Sequence, residues 1–212
     1  EIWGCLLTGG RLVVVPYFVS REPDHFRDLL VAEKVSVLSQ TPSAFAQLLH
    51  IDHADVSVRL VVFGGEPLDA RTLLPWFDRH PERSCRVVNM FGITETTVHV
   101  TEQTLTRGLA LAATRSVGRA LPGWHLYVMD PAGRLLPPGA AGEICGGGGG
   151  GAPGYLGEGG LARHGAVPAP RHRGGRVRQR VHGGQGPRWA RGNLRARGHE
   201  VTCIARGHSG SV

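Results

Sequence analysis

The 212-residue sequence predicts an α/β fold, with a layered sheet and helices, a smaller antiparallel β unit and a disordered tail. Three observations lead to this prediction. Over residues 1–100, short β-branched runs alternate with helical periodicity, which favours parallel strands joined by crossover helices. Over residues 101–156, two strand-like runs are separated by Pro-Ala-Gly and Pro-Pro-Gly turn signals. Residues 157–212 are rich in Gly, Arg, His and Pro and hold too few apolar residues for a core.

The elements follow from local signals along the chain. The predicted strands are 11–15, 35–39, 60–63, 86–90, 125–130 and 142–145. The predicted helices are 22–34, 44–49 and 69–79. Ser20 is expected to cap the first helix, and Thr41 the second, whose first position is taken by Pro42. Pro75 is expected to kink the third helix because proline lacks a backbone N–H.

The net charge of +7 is confined to the tail. Residues 157–212 carry 11 Arg and two Glu, whereas residues 1–156 carry 13 Lys and Arg and 15 Asp and Glu. Residues 1–156 therefore offer no electrostatic case for nucleic-acid binding.

The sequence has no run of about 18 apolar residues, which argues against a membrane span. The four cysteines are scattered without a CxxC pair, which favours free thiols in a reducing cytoplasm.

Three polar loops follow predicted parallel strands, at residues 40–43, 64–66 and 89–95. In an open α/β sheet, ligands bind outside the carboxyl ends of the strands, so the three loops predict a site. Gly64 and Gly65 let the backbone approach a flat ring, and Phe91 offers a stacking face. The Thr94 hydroxyl can donate to a phosphate oxygen, and the Glu95 carboxylate can hold Mg²⁺. Taken alone, each loop is equally an ordinary strand-to-helix turn.

Four segments resemble, in order and spacing, the motifs of adenylate-forming enzymes. Residues 89–97, NMFGITETT, are similar to the signature Asn-x-Tyr-Gly-x-Thr-Glu, and residues 142–156, GEICGGGGGGAPGYL, resemble the next motif. The segments LSQTPSAF and VVFGGEPLD resemble the two upstream ones. The stretches ITETTVHVT and SVGRALPGWHLYVMDPAGRLLPPGAAGEI are closer to bacterial amino-acid-activating members than to acyl-CoA or luciferase-type ligases. Over residues 1–156 the chain thus resembles an internal fragment of an adenylation domain of a nonribosomal peptide synthetase.

The resemblance implies a reaction in two steps. An amino-acid carboxylate attacks the α-phosphorus of ATP and yields aminoacyl-AMP and pyrophosphate, with Mg²⁺ bound. A phosphopantetheine thiol on a peptidyl carrier domain then takes the aminoacyl group as a thioester, and a condensation domain is a further partner in the same assembly line. The protein's contribution to such chemistry is positioning and charge stabilisation.

The resemblance also implies roles for individual residues. Phe91 would stack on adenine against the Gly64-Gly65 backbone, and Asn89 and Glu66 would lie near the adenine. Thr94 would meet the α-phosphate and Glu95 the Mg²⁺, which makes these two the catalytic residues. The residues implied in nucleotide binding are Gly64, Gly65, Glu66, Asn89, Phe91, Gly92 and Thr94. The family more often has Tyr where Phe91 stands, so stacking is kept and a hydroxyl contact is lost.

The substrate pocket implied by the same alignment is formed by Ser39, Val62, Gly64, Met90, Val98 and His99. Met90, Val98 and His99 resemble threonine-activating members, and His99 would hydrogen-bond a small hydroxyl-bearing substrate. From the residues alone, Met90 and Val98 are equally compatible with core positions and His99 with an internally paired polar residue. Further pocket positions are expected just before Glu1.

The sequence departs from the family pattern in several places. The phosphate loop is expected upstream of Glu1, and neither the ribose-binding Thr-Gly-Asp segment nor the catalytic lysine follows Tyr155. Off-frame GC-rich DNA yields Arg, Gly, Ala, His and Pro, so we hypothesise a reading-frame shift shortly after Tyr155. The family has apolar residues and an Arg among the glycines of Gly146–Gly151, and Pro153 stands where that Arg is common. The run contains GxGxxG but opens no predicted helix, which argues against a dinucleotide site.

Two alternatives to an amino-acid-activating enzyme remain open at this point. One is an adenylate-forming ligase for an aryl or fatty acid. The other is a catalytically dead fragment whose basic tail, residues 157–212, binds nucleic acid through phosphate contacts. The irregular Arg-Gly spacing and the lack of interleaved aromatics beyond Trp189 argue against the second.

Overall fold

A computed structural model describes residues 2–93, 96–130, 132–137, 140–141, 143–151, 176–179, 185–186, 192–197 and 200–205. The chain divides into two compact units. The first unit comprises Glu1–Val88 and Thr104–Ala113, and the second comprises Asn89–Gln103 and Thr114–Val212. None of the helices that the structure describes is long and apolar enough to cross a membrane.

The described helices are short. They are α1 (Ile2–Leu7), α2 (Pro23–Ala32), α3 (Pro42–Leu48), α4 (Leu74–Arg79) and α5 (Arg107–Leu111), with 3₁₀ turns at Val19–Arg21 and Ala70–Leu73. The strands up to residue 151 are β1 (Val37–Gln40), β2 (Leu60–Phe63), β3 (Arg86–Phe91), β4 (Thr101–Leu105), β5 (Ser116–Ala120), β6 (Trp124–Met129), β7 (Ala140–Ala141) and β8 (Glu143–Gly148). This mixture of elements confirms the predicted α/β class.

The first unit is built on the parallel pair of β1 and β2, as predicted. Its core lies where α2, α3 and α4 pack together with β2. Phe45 of α3 is 1% exposed and meets Phe63 and Trp76 edge to face, with ring centroids 4.9 and 5.0 Å apart. Such aromatic contacts add to the free energy of burial and fix the geometry of the core.

Beside this core lies a buried pair of histidines. The Nδ1 atom of His53 is 3.1 Å from Nε2 of His80, and the His80 ring stacks on Trp76 with centroids 3.7 Å apart. Burial lowers the pKa of both imidazoles, and positively charged Arg79 lowers the pKa of His53 further. The pair is therefore held in its neutral form near pH 7.

The second unit is antiparallel where the structure describes its pairing. Strand β4 pairs with β5, and β6 pairs with β8 in the register Trp124↔Gly148. The antiparallel β unit predicted after residue 100 is therefore present. Four further strands are β9 (Arg176–Gln179), β10 (Gln185–Gly186), β11 (Gly192–Arg197) and β12 (Glu200–Ala205). They pair with β8, β7, β5 and β11, respectively, each antiparallel.

The tail that was predicted to be disordered or frame-shifted comprises residues 157–212, and these four strands lie within it. The other residues between 152 and 212 lie outside the described residues. The predicted boundaries between the α/β part, the β-rich part and the tail, at residues 100 and 156, stay predictions.

Three local predictions were wrong. Residues 11–15 form no strand. Arg11 instead donates to the backbone carbonyl of Glu33 at 2.8 Å, which ties this segment to the end of α2. Ser20 caps no helix, because its hydroxyl donates to the Tyr17 carbonyl at 2.7 Å and α2 begins after Glu22. Pro75 kinks no helix, since it lies in the first turn of α4, where a missing N–H costs nothing.

Candidate functional site

Three predicted pocket residues lie together at the ends of β1 and β2 in the first unit. Ser39 is the register partner of Val62, and Gly64 follows two residues after Val62. Their neighbours Leu38 and Val61 are 6% and 0% exposed. Because side chains alternate across a sheet, Ser39 and Val62 share the more exposed face. The three positions are therefore adjacent, and their role as a pocket wall stays a prediction.

The carboxylate of Glu66 accepts two hydrogen bonds from Ser43 at the start of α3. The Ser43 hydroxyl donates to Oε1 at 2.8 Å, and the Ser43 backbone N–H donates to Oε2 at 3.0 Å. These two hydrogen bonds lower the pKa of Glu66 because they favour the charged carboxylate. Thr41 caps the same helix by accepting from the Ala44 N–H at 3.4 Å, as predicted. The role of Ser43 was missed, since only the tertiary fold brings it to Glu66.

The backbone at Gly65 has a conformation that suits glycine. Its φ angle is +83°, which residues with a side chain rarely adopt. The space itself is open, because a Cβ there would meet only the Thr41 methyl group, at 3.8 Å. The turn after β2 therefore presents bare backbone, as the sequence predicts.

The signature loop, Phe91–Val100, is closed upon itself in the second unit. The Val100 N–H donates to the Phe91 carbonyl at 2.7 Å. Inside the loop, the buried Thr96 hydroxyl accepts from the Ile93 N–H at 2.9 Å and lies 3.0 Å from the Val98 carbonyl. Thr96 thus organises the loop, a role that sequence reasoning missed although its hydroxyl lies within the quoted motif. The predicted catalytic residues Thr94 and Glu95 lie in this loop but outside the described residues.

Gly92 is required by the loop's own backbone. A Cβ at this position would lie 1.7 Å from the Val98 carbonyl oxygen and 2.5 Å from the His99 Cα. Neither contact can be relieved by rotating a side chain, since both atoms belong to the backbone. Gly92, which the resemblance assigns to nucleotide binding, is therefore also required for the backbone conformation of the loop.

Of the remaining predicted pocket residues, Met90 directly precedes this loop, and Val98 and His99 lie within it. Met90 and His99 are partly buried, whereas Val98 is 58% exposed. The alternative that Val98 is a core residue is therefore wrong. Phe91 is also partly buried, so part of its ring remains accessible for stacking.

Asn89 has a structural partner within the second unit. It is 6% exposed, and its side-chain amide donates to the Ser116 carbonyl at 3.3 Å. The Ser116 hydroxyl in turn donates to the Gln103 side chain at 2.9 Å. Asn89 therefore fixes β5, and its proposed position near adenine stays a prediction.

Among the residues that the structure describes, no group of three or more His, Cys, Asp or Glu side chains is arranged to hold a metal ion. The implied Mg²⁺ ligand, Glu95, is outside that part of the chain. A carboxylate oxygen is nevertheless the donor that Mg²⁺ prefers. The metal site accordingly stays a prediction based on the motif.

Comparison with known proteins places the chain in a family. A family model described as AMP-binding enzyme matches residues 1–156. The chain is 47% identical over 177 residues to a dimodular nonribosomal peptide synthase of Bacillus subtilis (strain 168), an alignment that covers 80% of this chain and 7% of that protein. It is 44% identical over 160 residues to syringomycin synthase SyrB1 of Pseudomonas syringae pv. syringae, covering 74% of this chain and 26% of that protein.

Solved structures agree with this assignment. PA1221, a nonribosomal peptide synthetase protein containing adenylation and PCP domains, matches with a TM-score of 0.68 and 27% identity over 98% of this chain and 40% of that one. The four-domain synthetase holo-AB3403, bound to AMP and glycine, matches with a TM-score of 0.70 and 27% identity over 92% of this chain and 14% of that one. The chain thus spans less than half the length of these proteins. It belongs to the AMP-binding enzyme family and corresponds to part of an adenylation domain of the nonribosomal peptide synthetase type.

Proposed function

We propose that the protein containing this chain activates an amino acid with ATP. A carboxylate oxygen of the amino acid bonds to the α-phosphorus, and the bond from that phosphorus to the departing pyrophosphate breaks. The observation that carries this proposal is the signature loop. Its sequence fits the family motif, and its closure by Val100 and Thr96 holds the loop in a defined shape.

We assign the nucleotide to the residues of the motifs. Phe91 stacks on adenine, and the bare backbone at Gly64 and Gly65 admits a flat ring. Thr94 would donate to the α-phosphate, and Glu95 would hold Mg²⁺, which would neutralise the charge of the phosphates.

Two further residues are assigned to the neighbourhood of adenine. Each carboxylate oxygen of Glu66 accepts a hydrogen bond from Ser43, and the further lone pairs of a carboxylate can accept from an adenine amino group. The Asn89 side chain has a second amide N–H and a carbonyl oxygen besides the N–H that donates to Ser116, and these are the groups proposed to face adenine.

We propose threonine as the preferred amino acid. The pairing of Ser39 with Val62 on one face, with Gly64 beyond them, supports a small pocket wall. The exposure of Val98 supports contact with a substrate rather than with the core. His99 offers a ring nitrogen to the threonine hydroxyl, and a polar group that pairs with a substrate hydroxyl discriminates against analogues that lack it.

The second step and its partners are proposed from the relatives. The aminoacyl group passes to the phosphopantetheine thiol of a carrier domain, and a condensation domain acts in the same assembly line. PA1221, which contains adenylation and PCP domains in one protein, supports a carrier as partner. The free thiols of Cys5 and Cys85 support a reducing, cytoplasmic setting.

The proposal is tested with a chimera in which residues 1–156 replace the corresponding segment of a complete adenylation domain that does not itself activate threonine. ATP–pyrophosphate exchange is measured with panels of amino acids, aryl acids and fatty acids, and ATP binding establishes that the chimera is folded. We expect exchange that depends on an amino acid. Exchange that depends on an aryl or fatty acid would support the alternative ligase, and a folded chimera with no exchange would overturn the proposal.

The composition of the tail supports a separate proposal, a reading-frame shift shortly after Tyr155. Sequencing the gene beyond that codon and translating all three frames tests it. We expect another frame to encode a Thr-Gly-Asp segment and a later lysine. A confirmed frame without them would indicate a chain that keeps the adenylation core but activates no amino acid.

A further inference from the structure

The indole of Trp124, at the start of β6, lies across the glycine run that ends β8. A Cβ built on three alternate glycines would lie within 3.5 Å of the indole, namely on Gly146, Gly148 and Gly150. Nothing lies within 4 Å of a Cβ built on Gly147 or Gly149. The indole thus occupies the space that side chains on one face of the run would otherwise fill.

The turn at the end of this run is bonded to the signature loop. The Thr97 hydroxyl donates to the Gly150 carbonyl at 2.6 Å. Thr97 has a φ angle of +68°, a left-handed conformation that is costly for a β-branched residue. It persists only where surrounding contacts over-determine it, and the bond to Gly150 is such a contact.

We propose that Thr97 is a positioning residue that couples the Trp124-covered glycine turn to the signature loop. Thr97 directly precedes Val98 and His99, so a displacement of the turn moves both residues. Trp124 sets the position of Gly150, Gly150 holds the Thr97 hydroxyl, and Thr97 holds the backbone of the second half of the loop. The consequence for substrate selection rests on the proposed function, whereas the coupling itself does not.

The coupling is measurable in the 212-residue chain by amide hydrogen exchange. Gly148→Ala is the perturbation, because its Cβ would lie 2.6 Å from the Gly123 carbonyl oxygen and 2.9 Å from the indole. Gly149→Ala is the matched control, since its Cβ meets nothing within 4 Å. Each is made in the wild-type background and together with Thr97→Val, which removes the hydroxyl and keeps the β-branch.

We expect Gly148→Ala to speed exchange of the Val98 and Val100 amides about fivefold, the equivalent of one net hydrogen bond. Thr97→Val alone should do the same, and Gly148→Ala should add less than about twofold in that background. Thr97→Ser should restore slow exchange. Gly149→Ala should have no effect in either background.

Equal effects of Gly148→Ala with and without the Thr97 hydroxyl would overturn the coupling, as would unchanged exchange in Thr97→Val. Exchange of the Gly118 amide, which donates to the Ser116 hydroxyl in the second unit, reports whether that unit is folded in each variant. In the chimera, Thr97→Val should raise the KM for the amino acid about fivefold while Thr97→Ser stays near wild type. An unchanged KM together with intact coupling would overturn the positioning role alone. Because the exchange measurement needs no substrate, its outcome is independent of whether the protein activates an amino acid.

Discussion

Replacing Gly92 by alanine should open the signature loop. The added Cβ would lie 1.7 Å from the Val98 carbonyl oxygen, far inside contact distance, and the opposing atom is backbone. The loop can relieve this overlap only by separating its two sides, which stretches the 2.7 Å bond from the Val100 N–H to the Phe91 carbonyl. Forced repacking of this kind costs about 1–3 kcal/mol, and we expect about 2 kcal/mol for the second unit.

The assay is hydrogen exchange measured as a function of urea, which reports the free energy of unfolding of each unit separately. Gly147→Ala is the control, since its Cβ meets nothing within 4 Å and its φ is not in the left-handed region. We expect its free energy of unfolding to stay within about 0.5 kcal/mol of wild type. A Gly92→Ala variant whose second unit is as stable as the control would refute the close approach.

Three further predictions concern titration and substrate choice. The pKa values of His53 and His80 are lower in the folded chain than in the unfolded chain. The neutral, buried pair therefore contributes fully to the free energy of unfolding above about pH 6.5, and this contribution is lost as the pH falls. Urea-dependent exchange of the first unit at pH 7.5 and pH 5 should show this loss, and greater stability at pH 5 would contradict it. Ser43→Ala should raise the pKa of Glu66 towards its ordinary value because the hydrogen bond from the Ser43 hydroxyl is gone, whereas Ser43→Thr should leave it lowered. Carbon NMR titration of the Glu66 carboxyl group measures this pKa. An unchanged pKa in the alanine variant would contradict the hydrogen bond from the Ser43 hydroxyl to Glu66. In the chimera, His99→Leu should abolish discrimination between threonine and valine without abolishing exchange, and kcat/KM for the two substrates is the measurement.

Local signals predicted the elements whose formation is local. Thr41 and Pro42 begin α3 because a cap and a proline act on the turn that contains them. Strand β2, Leu60–Phe63, has the predicted bounds because a glycine turn follows it. Residues 11–15 are similarly rich in valine and leucine but form no strand, since strand formation depends on a neighbour that accepts the hydrogen bonds. Strands β4 and β5 were missed for the converse reason, since their pairing partners stabilise runs of weak propensity.

The candidate site shows the same division. Glycine at position 65 is visible in the sequence, and the structure adds the reason for it, a positive φ angle that residues with a side chain rarely adopt. The hydrogen bond from the Ser43 hydroxyl to Glu66 joins residues 23 positions apart, and the bond from Thr97 to Gly150 joins residues 53 positions apart. No local pattern encodes such pairs, so they emerge only once the chain has folded. The same holds for the indole of Trp124 across the glycines.

We propose that the residues around the loops after β1 and β2 and in the signature loop select and activate threonine. The most direct measurement is the ratio of kcat/KM for threonine over valine in ATP–pyrophosphate exchange by the chimera. Valine has the same shape with a methyl group in place of the hydroxyl, so the ratio isolates the proposed contact to His99. We expect a ratio of about 100 or more, since a site built to pair a hydroxyl rejects the analogue that lacks it. A ratio near one, or a preference for valine, would contradict it.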